Sequence, residues 1–497
     1  FFQAEDGIRD AQCLVGSEMC IRDRCYIMDK KLLIKKYSCA LETGRAAIFA
    51  GAGMSVGAGF VDWKGLLKDV AEELDIKIRD YTNLVDLAQY YVNSTRNRSE
   101  LSHAILNAFP ISAKPLVNHE ILASLPIRTY WTTNFDKLIE TSLYNACKVY
   151  DVKSLPSSLA IAKDKSDAIV YKMHGDVDNP DLTILTRDQF ENYQQTHKAF
   201  LDSFCYDLMN KTFLFLGLSF DDPNLHYVLK YARMLHGDNQ RRHYYVQKKV
   251  SRGAYNNVED FEYYKKEQEL FVEDLKNYGV ETVLIDDYGE ITEILQEIKK
   301  RYLRRTVFIS GAAEVYAGNY SENDMKEFVR NLSAQLIHLN YRIVNGYGLG
   351  FGNEVLNGAT LQIRNEHKSF DEFMKIMPFP QGLLDSRTAW SQYRQEMIQD
   401  TGISIFVMGN KKDKVSGNIV LSSGMQEEYD ISQKNGNFLI PVGATEYKAA
   451  DLWNQQMKIR DDSFSPTENE METLNDKSKT LNQHLDTIIS ILKRIND

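Results

Sequence analysis

Cysteine is scarce in this 497-residue chain, and none of its six copies forms a Cys-x-x-Cys pair. Cys13 and Cys20 fall in the first stretch, to about Arg24, and Cys25 borders it, which leaves Cys39, Cys147 and Cys205 far apart. This spacing indicates neither a zinc module nor a disulfide framework, and it fits a reducing cytoplasm. Long apolar runs are also missing: none approaches the ~18 residues that a membrane-spanning helix needs, so the chain reads as soluble. The net charge of −10 is spread without long single-sign blocks, and no basic face for nucleic acid stands out. An anionic ligand therefore has to meet a local pocket.

The first stretch (FFQAEDGIRDAQCLVGSEMCIRDR) has neither a basic n-region nor an apolar h-region and is not a secretory signal. It resembles translated sequencing-adapter sequence. Residues 1–27 are accordingly expected to be non-native, with Met28 as the start. The remainder is long enough for two or three domains, and a hydrophobic content of 43% suits globular cores.

Ala46-Ala47-Ile48-Phe49-Ala50 is a short apolar run that leads into glycines, and Leu66, Leu67, Val70 and Leu74 follow at helical spacing. Similar runs at Thr129 to Thr132, Ala168 to Met173, Thr212 to Leu216, Tyr244 to Gln247 and Thr282 to Ile285 alternate with helical segments. The pattern predicts an α/β domain over 28–303 with a parallel sheet covered on both faces. Glu290 to Tyr302 reads as its last helix, and a boundary is placed near Arg304. A second Rossmann-like unit is predicted over 304–497. Its strands are Thr306 to Ser310, Tyr341 to Val344, Ile403 to Met408 and Phe438 to Val442, and Ser321 with Asp324 opens a helix. Leu481, Leu485, Ile488, Ile489 and Leu492 predict a C-terminal helix that packs on its own domain or on a subunit.

Four polar or glycine turns follow four of the strands in the first domain. Gly51-Ala52-Gly53-Met54-Ser55 lets backbone approach a phosphate at a helix N-terminus. It is not the dehydrogenase fingerprint, because Val56 stands where a third Gly is expected. In Thr132-Thr133-Asn134-Phe135-Asp136, Asn134 can both donate to and accept from a ribose hydroxyl or an amide, although the motif taken alone reads more readily as an Asn-x-Asp helix cap. His174-Gly175-Asp176 offers an imidazole that can take a proton near neutral pH, although a solitary His after a strand is more often structural. Gly217-Leu218-Ser219 follows the fourth strand, and Asp221 and Asp222 after it read as caps of the next helix. All four turns converge on the carboxyl edge of one sheet, where ligands bind in such folds.

In order and spacing the four motifs resemble the NAD-binding set of sirtuin-like domains. The resemblance implies Asn134 and His174 as the catalytic pair, with Gly51, Ala52, Gly53, Ser55, Thr133, Asp136, Gly217 and Ser219 holding NAD+. Two departures turn the expectation away from protein deacylation toward cleavage with water. The chain lacks the four-cysteine zinc module of the deacylases, and Thr133 stands where they carry Gln. No metal is expected.

The second unit resembles the SLOG group of Rossmann-like domains. Its glycines at 311, 346, 348, 350 and 352 can approach a phosphate, Arg394 and Lys411 can bond to it, and Gly424-Met425-Gln426-Glu427-Glu428 is similar to a ribose-holding segment of that group. The pairing is similar to the sirtuin-like/SLOG NAD-degrading effectors of bacterial Thoeris anti-phage systems, through stretches such as Tyr171-Lys172-Met173-His174-Gly175-Asp176 and Pro378-Phe379-Pro380-Gln381-Gly382. The resemblance implies that a cyclic ADP-ribose isomer, made by a partner TIR-domain synthase, activates the enzyme. It implies binding at Gly311, Ala312, Leu349, Phe379, Arg394, Lys411, Gly424 and Glu428, with Ala312 standing where a relative carries Ser. It further implies a cytoplasmic homo-oligomer, a tetramer or larger, without nucleic-acid or membrane partners. A NAD-dependent protein deacylase and a non-catalytic nucleotide sensor remain the alternatives.

Overall fold

The computed structural model describes residues 28–60, 63–78, 83–110, 112–220, 222–237, 240–316, 319–380, 386–413, 415–459, 461 and 464–496. The expectation for residues 1–27 lies outside the described residues, as do Asp221, Gln381 and Gly382. The chain divides into two compact units. One takes the chain up to Leu33, Ala46–Leu116 and Arg128–Ile291; the other takes Ile34–Arg45, Val117–Ile127 and Thr292–Asp497.

The first unit is built on seven strands: β1 (Ala46–Ala50), β2 (Thr129–Thr132), β3 (Tyr150–Lys153), β4 (Ala168–Lys172), β5 (Thr212–Leu216), β6 (His243–Lys248) and β7 (Val280–Ile285). Every pairing is parallel, in the order β3-β4-β2-β1-β5-β6-β7. β1 and β5 are buried at every position, as expected of strands covered by helices on both faces. Phe49, Trp131, Phe200, Phe204, Phe213 and Phe215 form the centre of one core, with Phe49 5.4 Å from Phe204 and Trp131 stacked at 4.2 Å on Tyr171. β3 has no counterpart among the predicted strands, because its sequence, Tyr-Asp-Val-Lys, sits at a half-exposed sheet edge and has no apolar run.

Between β1 and β2 lies a helical insert. The helical spacing of Leu66, Leu67, Val70 and Leu74 is carried by two short helices, Trp63–Leu66 and Lys68–Glu73, broken at Leu67, which turns wholly into the insert's core. Leu84–Thr95, capped by Asn83, and Ser99–Ala108 complete it. Its core of Leu67, Val70, Leu87, Tyr91 and Ile105 also takes in Val177, Leu185 and Phe135, the last of which stands between Asn134 and Asp136.

The second unit holds a parallel sheet of β8 (Thr306–Ala312), β9 (Arg342–Asn345), β10 (Met374–Ile376), β11 (Ile403–Met408) and β14 (Phe438–Pro441), in the order β10-β9-β8-β11-β14. A hairpin of β12 (Asn410–Lys412) and β13 (Ile419–Leu421) leaves the end of β11. The predicted capping box is present: Ser321 accepts from Asp324 N at 3.2 Å and opens Glu322–His338. Gly358 lets that helix pack closely on Gly352–Asn365, since a Cβ there would lie 2.1 Å from Arg330 O. The terminal helix, Leu481–Arg494, buries Leu481, Leu485, Ile488, Ile491 and Leu492 in the core of its own unit. No helix among the described residues is long and apolar enough to cross a membrane.

Candidate active site and a second pocket

The four turns follow β4, β2, β1 and β5, which are consecutive neighbours in the sheet, so their ends share one edge. The chain reverses its direction of travel across the sheet between β1 and β5, the kind of switch point at which doubly wound sheets open a crevice. The turns after these two strands are locked together. Gly53 N donates to Gly217 O at 2.9 Å, and a Cβ on Gly51 would lie 2.4 Å from the same oxygen. Gly217 itself has φ +63°, and a Cβ on it would meet Met54 N at 2.5 Å. These glycines are thus required by turn-on-turn packing, alongside any phosphate. Ala52 and Ser219 are exposed on their turns.

Behind the turn, Asn134 Nδ2 donates to Gly51 O at 3.1 Å and to Ser55 Oγ at 3.0 Å. Ser55 in turn donates to Asp136 Oδ2 at 2.7 Å, and Asp136 Oδ1 accepts from Leu138 N at 3.0 Å. Asn134, Ser55 and Asp136 therefore form one chain of hydrogen bonds, with Ser55 and Asp136 buried and Asn134 half-buried. Thr132 Oγ1 supports it by accepting from Asn134 N at 3.0 Å and donating to Ala50 O at 2.8 Å. Thr133 is half-buried beside it. Phe135, between the two polar residues, packs into the helical insert and meets Phe109 edge-on at 5.8 Å.

A buried lysine ties this turn to the one that carries His174. Lys172, at 0% exposure, donates to Phe135 O at 3.1 Å, to Asp136 O and to Glu140 Oε1 at 3.0 Å, and it lies 2.9 Å from Asp176 Oδ2. Lys137 also reaches Asp176, at 2.8 Å. Burial works against the Lys172 charge, but Glu140 and Asp176 outweigh it and push the ammonium up. Burial likewise works to raise Asp176, yet Lys172, a backbone N–H and Lys137 hold its carboxyl below the usual range. Buried ions persist only when paired in this way.

His174 is 3% exposed. Its Nε2 lies 3.0 Å from Asp222 Oδ2, a charge contact whose angle is off that of an aligned hydrogen bond, and its Nδ1 has no hydrogen-bond partner among the described residues. The ring meets Phe190 edge-on at 5.1 Å. As predicted, Asp222 caps the helix Pro223–His236, its Oδ1 accepting from Asn224 N at 2.9 Å. Its contact with His174 was not legible, because the two lie far apart in sequence. Burial raises the Asp222 carboxyl, but His174 and the N–H groups of Asn224 and Leu225 bring it below the usual range. The edge thus offers hydrogen-bonding groups for a ribose beside an imidazole able to take a proton.

The second unit has a cavity of about 1080 Å³ at the carboxyl edge of its own sheet. Of the residues expected there, Leu349, Phe379, Arg394, Lys411 and Gly424 line it. Gly311 lies under the Phe351 ring, where a Cβ would be 2.6 Å from ring carbons, and Ala312 ends β8, half-buried. Glu428 sits behind the wall, accepting from Ser310 Oγ at 2.6 Å. Burial pushes its carboxyl up, against the hydrogen bond from Ser310 and the charge of Arg394. Arg394 stacks 4.9 Å over the Phe379 ring and pairs with Glu427 at 2.6 Å and Glu428 at 3.4 Å. Lys411 Nζ donates to Ser423 Oγ at 2.9 Å. Trp390 and Tyr347 also line the cavity and were not among the expected residues. Trp390 stands four residues before Arg394, a helical spacing that places both on one side of Ser386–Ile398 and is the signal by which it was findable.

Residues 128–272 match a family described as SIR2-like domain, and residues 290–495 match the Sir2- and TIR-associating SLOG family. A protein of Acinetobacter baumannii (strain 532279), named NAD(+) hydrolase ThsA, is 40% identical over 477 residues, covering 94% of this chain and 98% of its own length. The chain belongs to the ThsA family. A ThsA of Enterococcus faecium is 41% identical over 95% of this chain and the whole of its own length. Outside ThsA the likeness thins: a Bacillus subtilis protein named Defense-associated sirtuin 2 is 26% identical over 43% of this chain and 22% of itself. Among the described residues no group of three or more His, Cys, Asp or Glu side chains could hold a metal ion.

Proposed function

We propose that this chain is an NAD+ hydrolase in anti-phage defence, switched on by a cyclic ADP-ribose isomer in the cavity of the second unit. The observation that carries the reading is the meeting of the Asn134–Ser55–Asp136 chain and His174 at the ends of neighbouring strands. The names of the relatives support the substrate. In the reaction, water adds to C1′ of the nicotinamide ribose while the C1′–N bond breaks and nicotinamide leaves with the electron pair. The proton from water passes to His174. Asn134 positions the ribose and the water, and fixed dipoles at the strand ends stabilise the oxocarbenium-like state.

In the cavity, Arg394 and Lys411 bond the phosphates of the signal, and the Gly346–Gly350 turn admits them. Activation requires that the signal bind the active arrangement more tightly than the resting one. A TIR-domain synthase supplies the signal, and the enzyme works in the cytoplasm as a homo-oligomer.

The deciding assay is nicotinamide release from NAD+ with and without a cyclic ADP-ribose isomer, each with and without acetyl-peptide. Asn134→Ala and His174→Ala should abolish release. Arg394→Ala should abolish the response to signal while keeping basal turnover. Release that depends on acetyl-peptide would establish a deacylase instead, and no release under any condition would leave a nucleotide sensor.

A further inference from the structure

The contact between His174 and Asp222 decides which imidazole nitrogen can act. Asp222 splits its two oxygens between two tasks: Oδ1 accepts from Asn224 N at 2.9 Å and caps the helix, while Oδ2 is turned to His174 Nε2 at 3.0 Å. Side-chain exposures of 4% for His174 and 9% for Asp222 leave little water to screen the pair. A carboxylate oxygen at this distance repels a bare nitrogen lone pair and attracts an N–H, so the neutral ring carries its proton on Nε2. The lone pair then lies on Nδ1; neither ring nitrogen makes an aligned hydrogen bond among the described residues, but Nε2 is the one with the Asp222 carboxylate beside it. Catalytic hydrogen bonds are often poorly aligned before substrate binds and tighten afterwards, which accommodates the off-angle contact here.

We propose that Asp222 is the positioning residue for His174, fixing the Nε2–H tautomer so that Nδ1 is the atom that takes the proton from the attacking water. When Nδ1 takes that proton the ring becomes an imidazolium, and the carboxylate on its far side stabilises the new charge. Among the described residues, two further titratable groups face this pair. Tyr193, whose OH donates to Met173 O at 2.8 Å, has its ring 6.3 Å from the imidazole, and His197 stacks on Tyr193 at 4.6 Å. Neither comes as near as Asp222. The proposal rests on His174 being the base of the reaction.

Because Asn caps helices as well as Asp, the substitution Asp222→Asn removes the charge and spares the cap, whereas Asp222→Ala removes both. In the full chain with saturating signal, Asp222→Asn should lower kcat by about tenfold to a hundredfold, within the range that a general base contributes, and move KM by less than about threefold. Its melting midpoint should match the parent. Asp222→Ala should show a similar kcat and a lower midpoint. An ¹⁵N-histidine spectrum of the parent should place the neutral-ring proton of His174 on Nε2, with the other tautomer appearing in Asp222→Asn. A parent-like kcat in Asp222→Asn, an unchanged tautomer in its ¹⁵N spectrum, or a kcat that tracks the melting midpoint across the variants would overturn the assignment. Full activity in His174→Ala would instead overturn the reading of His174 as the base.

Discussion

Lys172 sits at 0% exposure with two backbone carbonyls and two carboxylates around it, so its ammonium acts as a rivet between the turns that carry Asn134 and His174. Replacing it with an apolar side chain of similar length strands Glu140 as a buried carboxylate without its cation and leaves Asp176 to Lys137 alone. Lys172→Met is therefore expected to cost about 3–5 kcal/mol in denaturant unfolding and to lower NAD+ turnover in whatever fraction remains folded. Ser55 has a smaller part. Ser55→Ala removes the bridge between Asn134 and Asp136 and leaves a buried carboxylate oxygen short of a donor, a loss of about 1–3 kcal/mol by the same measurement. At this scale the sequence revealed the turn at the end of each strand and little of the support behind it. Asn134 and His174 stood out as polar residues at strand ends. Lys172 did not, because a lysine within an apolar strand announces no partner, and its carboxylates come from Glu140 and Asp176 on other elements.

The strands and helices were legible to the degree that burial is written as an apolar run. β1, β2, β5 and β11 fall where the sequence placed them, whereas β3, β10 and β12 carry no such run, and β13 is an apolar run of three residues that is exposed throughout. Of the candidate site, the strand-end turns could be read, but the reason for their glycines could not. Gly217 is held at φ +63° against the turn after β1, and Gly217→Ala combines a strained backbone with a 2.5 Å clash. Its expected cost is at least about 1–3 kcal/mol, together with loss of NAD+ turnover, measured as a fall in melting midpoint and in nicotinamide release. The second unit repeats the device: a Cβ on Gly348 would lie 2.1 Å from Gly311 O. Gly348→Ala should weaken the response to a cyclic ADP-ribose isomer in a titration of activity, while basal turnover persists.

Across the whole molecule the two units share a plan, a parallel sheet with its candidate site at the carboxyl edge, and they differ in what fills that edge: a hydrogen-bonded polar chain in the first, an arginine held by two carboxylates in the second. Stability against acid should be governed in part by His243. It is wholly enclosed next to β5, where its Nδ1 accepts from Phe213 N at 3.2 Å, and burial lowers its pKa from 6.5 to about 3. The folded state keeps this ring neutral where the unfolded chain would charge it. Its contribution is therefore complete above about pH 6.5 and is lost as pH falls toward 3, by roughly 1.4 kcal/mol per unit. Urea unfolding at pH 7.5, 6 and 5 should show that decline, and His243→Gln should flatten it.

The lock between Gly53 and Gly217 also bears on synthesis. Its halves lie on either side of the helical insert and of four strands, so the floor of the nucleotide edge cannot exist in a nascent chain until β5 and the turn after it have been made. A product that stops short of that turn would carry Asn134 and His174 yet lack this floor, and it is expected to release no nicotinamide from NAD+.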